Sequence, residues 1–262
     1  NMTVKPNSKK LAALYEKYGI IVILILEVIF FSIKSPTFLK LDNILLVSRQ
    51  VSFYGIAAVG MTMVLLVGEI DISVGSILAF SGCLSAVLIT KAAVPVALAC
   101  LIAIVISTFF GLLSGTLTTI CKVPSLIATL AMQIIIKGCT YLMTGGTAVS
   151  GLPDNFKFMG QGFLLGRIPV PVVVWLVIFL LGLFVLNKTY IGRRIYAVGG
   201  NKEAARLSGI KTTGIVIGTF VCSAFVAGIS GTLMAARLGS GMASVGSDFA
   251  MDVLTASVLG GV

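Results

Sequence analysis

The sequence predicts an all-α polytopic membrane protein. Hydrophobic residues make up 58% of the 262-residue chain and charged residues only 11%, and the mean hydropathy is +1.11. A soluble domain needs far more polar surface than this composition supplies. Several apolar runs approach or exceed about 18 residues with few charges, which is long enough for a helix to span a bilayer.

Charge and cysteine usage exclude several other classes of protein. The net charge is +10, but Lys and Arg flank the apolar runs, as expected for membrane spans, so no nucleic-acid partner is predicted. The five cysteines lie in or beside apolar runs without paired spacing, and histidine is absent. We therefore expect neither a disulfide framework nor a metal site.

Apolar runs and the turn residues between them predict the order of helices along a single permease domain, 1–262. A basic tail at 1–11 precedes the first run, 144–169 is polar and glycine-rich, and 188–212 is the most charged stretch. Small residues at i and i+4, as in Gly111 to Gly115, predict close helix packing. Helices are expected at about 12–33, 44–67, 74–90, 96–120, 125–143, 170–187 and 213–236, followed by an apolar segment at 249–262.

The basic residues also orient the predicted helices. In 188–212 they far outnumber the one acid, Glu203, and the N-terminal tail is basic as well, so both segments are expected on the cytoplasmic side. The segment 144–169 then faces outside. The same parity places residues 68–75 at the cytoplasmic end of the second and third helices, or folded back between them.

Residues 68–75 read GEIDISVG and put two carboxylates and a serine between two apolar runs. Asp71 or Ser73 can cap the helix that starts near Val74. Alternatively, the segment is the break in an interrupted helix beside a transport path. An acid in the membrane also fits the proton or sodium site of an ion-coupled transporter, with Asp71, Glu69 or Glu27 as candidates.

The charged segment 188–212 contains a short amphipathic helix, KEAARLSGI. Asn201 is placed to cap its start and Gly209 to close its end. One interpretation is an ordinary basic loop that holds the topology, and the other is a docking helix for a soluble partner.

Four ordered motifs resemble monosaccharide-class (ribose-type) ABC importer permeases, within the branched-chain amino acid/ribose permease superfamily. They are GMTMVLLVGEIDISVG, VPSLIATLAM, GRRIYAVGGNKEAARLSGIK and DVLTASVLGG. The resemblance covers nearly the whole chain from about residue 19. Glu69 departs from the pattern, since a small residue is usual there, and Lys137 stands where the family usually has Arg.

The resemblance implies a type II ABC importer-like helical bundle, with about eight spanning segments present here of about ten expected. Family members continue past the last motif, which implies either a fragment or missing C-terminal helices. The residues implied to contact the ATPase are Gly199, Gly200, Asn201, Glu203, Ala204, Ala205 and Arg206. The candidates for the transport path or its gate are Asp71, Ser73, Gly75, Arg49, Gln50 and Thr129.

By the same resemblance, the chain is a transport subunit of the bacterial inner membrane and not an enzyme. Its implied partners are a cytosolic ATPase, a soluble or lipoprotein sugar-binding protein and a second permease subunit. The sequence has no Walker A pattern, so ATP and Mg²⁺ are expected on the ATPase, and no cofactor is expected on this chain. An ion-coupled secondary transporter and a non-transporting membrane scaffold remain as alternatives.

Overall fold

The computed structural model describes residues 6–164 and 166–261, and the chain divides into two compact units. The first ends at Ser48 and the second begins at Arg49. Residues 1–5 of the predicted tail lie outside the described residues, whereas the rest of the tail belongs to the first helix, which begins at Pro6 rather than near residue 12.

The described residues are mainly helical, as the sequence predicted. Five helices among them are long and apolar enough to cross a membrane, namely Leu41–Leu66, Val96–Thr119, Ser125–Thr144, Val170–Lys188 and Thr212–Leu238, and Val74–Thr90 is a shorter apolar helix. The total of about eight crossings stays a prediction. The helices are α1 (Pro6–Lys34), α2 (Leu41–Leu66), α3 (Val74–Thr90), α4 (Val96–Thr119), α5 (Ser125–Thr144), α6 (Asp154–Gln161), α7 (Val170–Lys188), α8 (Tyr190–Gly200), α9 (Lys202–Leu207), α10 (Thr212–Leu238) and α11 (Phe249–Leu259).

Proline and glycine mark several helix boundaries. Pro95 and Pro124 are the N-cap residues of α4 and α5, where the missing N–H costs nothing. Gly145 and Gly239 end α5 and α10 in the left-handed conformation, which glycine adopts without a steric penalty. These residues explain why the predicted boundaries of the long helices agree with the structure to within a few positions.

Three short elements were not predicted. Helix α6 and a two-stranded antiparallel hairpin, β1 (Phe163–Leu164) with β2 (Ile168–Pro169), lie in the polar segment 144–169. Helix α8 precedes the predicted amphipathic helix. Helix α6 is held by tertiary packing, since Phe156 is fully buried.

Helix α10 lies at the centre of the second unit. Its residues between Thr212 and Ala236 are largely buried, and it packs against α3, α4 and α6. A side chain at Gly111 of α4 would meet the Phe220 carbonyl, and one at Gly228 would meet Ser107. The predicted close approach of small residues is therefore present between α4 and α10.

Helices α2 and α3 run in opposite directions along α10. On α2, Phe53 accepts a hydrogen bond from Ser230, while Gly60 lies against Ser223, so α2 is antiparallel to α10. The chain entering α3 meets Ser223 through Asp71, and Gly82 further along α3 lies against Ala235, so α3 is parallel to α10. The stretch between Leu66 and Val74 must therefore reverse the chain.

Candidate transport path and docking loop

The reversal after α2 begins with a glycine-based helix end. Gly68 has φ +81°. Its N–H donates to the Leu65 carbonyl at 2.9 Å, and the Glu69 N–H donates to the Val64 carbonyl at 3.1 Å. This pair of hydrogen bonds is a Schellman motif, which requires the left-handed conformation that glycine adopts most readily. The first residue of GEIDISVG thus ends α2.

The chain then turns back into the bundle as an extended segment. A side chain at Gly199, in the 188–212 loop, would meet the Leu66 carbonyl, so α2 ends beside that loop. Five residues later, Asp71 accepts a hydrogen bond from Ser223 at 3.1 Å. Ser223 also lies against Gly60, which is six residues, or about 9 Å, before the end of α2. The extended residues 69–71 cover most of that distance.

Two hydroxyl groups of α5 satisfy the backbone of this re-entrant segment, residues 68–73. Ser125 accepts from the Ile70 N–H and Thr129 from the Ile72 N–H, both at 3.2 Å. Helix residues four apart rise about 6 Å, and strand residues two apart advance nearly the same distance. One face of α5 therefore pairs with the segment as a neighbouring strand would.

Asp71 is fully buried and fixes the start of α3. One of its carboxylate oxygens accepts from the Ser73 N–H at 3.0 Å and from the Ser73 hydroxyl at 2.5 Å. The other accepts from Ser223. Asp71 thus receives one of the first free N–H groups of the helix, whereas the Ser73 side chain makes no cap hydrogen bond.

A second segment reaches the same point from the other end of α3. After α10, Gly241 lies against Cys83, and Gly246, at the end of a 3-10 helix (Ala243–Gly246), lies against Gly75. Added Cβ atoms would collide with backbone at both Gly75 and Gly246. The sequence carries a signal for this contact, since SVGS occurs at 73–76 and again at 244–247.

Arg49 and Gln50 lie near the end of the bundle that carries the segment 144–169. The Arg49 guanidinium stacks over the Phe163 ring at 4.6 Å, and its Nε has no hydrogen-bond partner among the described residues. Gln50 is exposed. Neither residue contacts the hydrogen-bonded group of Asp71, Ser73 and Ser223, so the predicted path residues fall into two separate groups.

The predicted amphipathic helix is present as α9. Asn201 caps it by accepting from the Ala204 N–H at 2.9 Å. At its other end Gly209 has φ +81°, and the Ile210 N–H donates to the Ala205 carbonyl at 3.0 Å. Both the cap and the closing glycine were predicted from the sequence.

Most of the residues implied to contact an ATPase are exposed on α8 and α9. Ala205 is the exception, because it is 5% exposed and packs in a core cluster with Val198 and Val216. It anchors α9 to the bundle and is not accessible to a partner. The exposed residues are Gly199, Gly200, Asn201, Glu203, Ala204 and Arg206.

Two ion pairs distinguish the surface of α9 from its link to the bundle. Arg206 binds Glu203 on the exposed side at 2.6 Å, and this hydrogen bond lowers the pKa of Glu203. Lys202 instead reaches Glu69 in the re-entrant segment at 3.2 Å, where the Glu69 side chain is only 16% exposed. Glu69, the departure from the family pattern, thus joins the loop to the segment that carries Asp71.

Replacing Thr129 with Val should destabilise the protein by about 1–3 kcal/mol, because the buried Ile72 N–H loses its acceptor while the side-chain shape is kept. The measurement is thermal unfolding in detergent. Thr116→Val is the control, since the Thr116 hydroxyl only donates to the Leu112 carbonyl of its own helix. Equal melting temperatures for the two variants would contradict the pairing of α5 with the segment.

Comparison with known proteins gives relatives over nearly the whole chain. A ribose import permease of Haemophilus influenzae is 37% identical over 252 residues, covering 95% of this chain and 77% of the relative. That of Bacillus subtilis is 39% identical, covering 94% and 76%. An L-arabinose ABC transporter permease of Azospirillum brasilense is 36% identical, covering 95% and 73%.

No solved structure matches the chain significantly. The family model that matches spans residues 43–262 and so includes the re-entrant segment, α5, the loop 188–212 and both SVGS turns. The chain belongs to the family described as the branched-chain amino acid transport system / permease component.

Proposed function

We propose that this chain is the membrane permease subunit of an ATP-driven, binding-protein-dependent importer for a monosaccharide, either ribose or a similar pentose or hexose. As a member of a permease family it is a transport subunit and not an enzyme. The observation that carries the sugar assignment is the similarity of 36–39% to permeases named for ribose and L-arabinose. ATP and Mg²⁺ belong to a separate ATPase subunit.

The proposed location is the bacterial inner membrane, with the N-terminus and the loop 188–212 in the cytoplasm. The excess of Lys and Arg in that loop supports this orientation. The segment 144–169, which lies against the far end of α10 through Gly160 and Arg237, then faces the sugar-binding protein. A second permease subunit completes the path.

The proposed ATPase-docking surface is the exposed side of α9 with the end of α8, Gly199 to Arg206 except Ala205. Leu207 supports it, because this large apolar side chain is 77% exposed in the most charged part of the chain. The loop is also anchored to α2 and α10 through the core cluster that contains Ala205. A force applied at the loop is therefore transmitted to the bundle.

The proposed gate is the re-entrant segment with Asp71, Ser73, Gly75 and Thr129. The side chains of Asp71, Ser73 and Thr129 already form hydrogen bonds within the protein in this conformation, so these residues act by moving rather than by holding sugar here. The Lys202–Glu69 ion pair supports a direct route from the docking surface to this segment. Arg49 and Gln50, at the opposite end, belong to the proposed outer mouth.

Reconstitution tests the function. In proteoliposomes that contain the permease, its ATPase and its binding protein, we expect uptake of ribose or another monosaccharide that requires ATP. Uptake should be insensitive to collapse of the proton and sodium gradients. Uptake that follows an ion gradient and persists without the ATPase would contradict the proposal and favour an ion-coupled transporter.

Replacing Asn201 and Glu203 with Ala should reduce co-purification of the ATPase while leaving membrane insertion intact. Loss of the Asn201 cap costs about 1 kcal/mol of helix stability. Replacement of Glu203 removes an exposed charge from the docking surface. Asp154→Ala is a matched control, since Asp154 forms a similar i,i+3 ion pair with Lys157 in the segment 144–169. Unchanged co-purification of the double variant would contradict docking at α9.

A further inference from the structure

A small polar cavity of about 50 Å³ lies beside the point where the two SVGS turns meet. It is bounded by the first turn of α3, the middle of α5 and the end of the 3-10 helix. Both turns contribute their last serine. The cavity has room for a hydroxyl group or water and is too small for a whole monosaccharide. The polar residues that line it are Ser76, Gln133, Lys137, Thr140 and Ser247.

Three of these side chains have no partner within the described part of the chain. Ser76 is 6% exposed, yet its hydroxyl forms no hydrogen bond there, and neither Gln133 nor Lys137 forms a hydrogen bond or an ion pair. Thr140 and Ser247 donate to the Ile136 and Ser244 carbonyls and keep free lone pairs. Ser76 is buried, Gln133 is half-buried and Lys137 is exposed, and together they present unused donors and acceptors to the cavity.

The depth of Lys137 indicates what lies around the cavity. α5 is long and apolar enough to cross the membrane, and Lys137 lies twelve residues from its start at Ser125, or about 18 Å. An ammonium group facing lipid at that depth is unfavourable, and such residues face a bundle interior or an aqueous cavity. The opposite side of α5 is apolar, with Ile135 54% exposed.

We propose that this cavity is a hydroxyl-binding subsite of the transport path. Gln133 and Lys137 donate hydrogen bonds to hydroxyl groups of a passing monosaccharide, and the Ser76 hydroxyl completes the set. The subsite lies where two interrupted helical segments meet, a position that transporters use for binding. This assignment rests on the proposed function, because the ligand class is taken from it. The polar lining of the cavity and its access to water do not depend on the proposed function.

Cysteine accessibility tests the subsite. In the reconstituted importer, with the five native cysteines replaced, Gln133→Cys and Lys137→Cys should react with a charged, membrane-impermeant thiol reagent. Ile135→Cys, on the opposite, apolar side of α5, should react at least about tenfold more slowly because a charged reagent does not enter hydrocarbon. The imported monosaccharide should slow the labelling of the first two variants.

A second measurement uses side chains that keep their volume. Gln133→Leu and Lys137→Met should each lower maximal uptake roughly tenfold, which corresponds to the loss of one hydrogen bond. ATPase co-purification should be unchanged, because the cavity is far from α9.

The outcomes separate the two proposals. Labelling of Lys137→Cys that is as slow as that of Ile135→Cys, or labelling that an imported sugar does not slow, overturns the subsite while uptake by the unaltered importer still supports the function. If the unaltered importer takes up no monosaccharide, the proposed function and the ligand of the subsite fail together. Labelling without sugar then decides whether the cavity lies on an aqueous path.

Discussion

The bundle depends on two hydrogen bonds that helix α5 accepts from an extended backbone. The N–H groups of Ile70 and Ile72 bind Ser125 and Thr129. Irregular backbone at membrane depth is tolerated only where its polar groups are satisfied inside the protein. Because helix residues i and i+4 match the spacing of strand residues i and i+2, one helix face can supply both acceptors.

Three further features follow from this pairing. The segment rises about 9 Å into the bundle before α3 begins, which makes α3 short and places its first turn inside the bundle. That position brings Gly75 against Gly246 and opens the polar cavity beside Ser76 and Lys137. The segment also remains tied to the docking loop, since Glu69 binds Lys202. A single reversal of the chain therefore connects the proposed gate, subsite and coupling loop.

The sequence predicted what depends on local chemistry. The bounds of α3, the Asn201 cap and the break at Gly68 all follow from neighbouring residues, and the resemblance to a permease family was confirmed. Contacts between distant residues were not predictable: Ser125 and Ile70 are 55 positions apart, and nothing local distinguishes Ser125 from an ordinary helix serine. Ala205 was assigned to the docking surface because the motif includes it, whereas packing buries it. The SVGS repeat is only four residues long, and its structural role is evident only from the contact between Gly75 and Gly246.

The central claim is that Asp71 marks a helix start that moves during transport. Asparagine at this position keeps an oxygen for Ser73 and an amide for the Ser223 hydroxyl, so it preserves the start of α3, but it removes a buried carboxylate that favours hydrated conformations. The decisive measurement is uptake by Asp71→Asn in proteoliposomes beside its expression and melting temperature. We predict uptake reduced far more than expression, with no loss of stability. Equal losses of uptake and expression would contradict a moving gate and leave Asp71 as a structural cap.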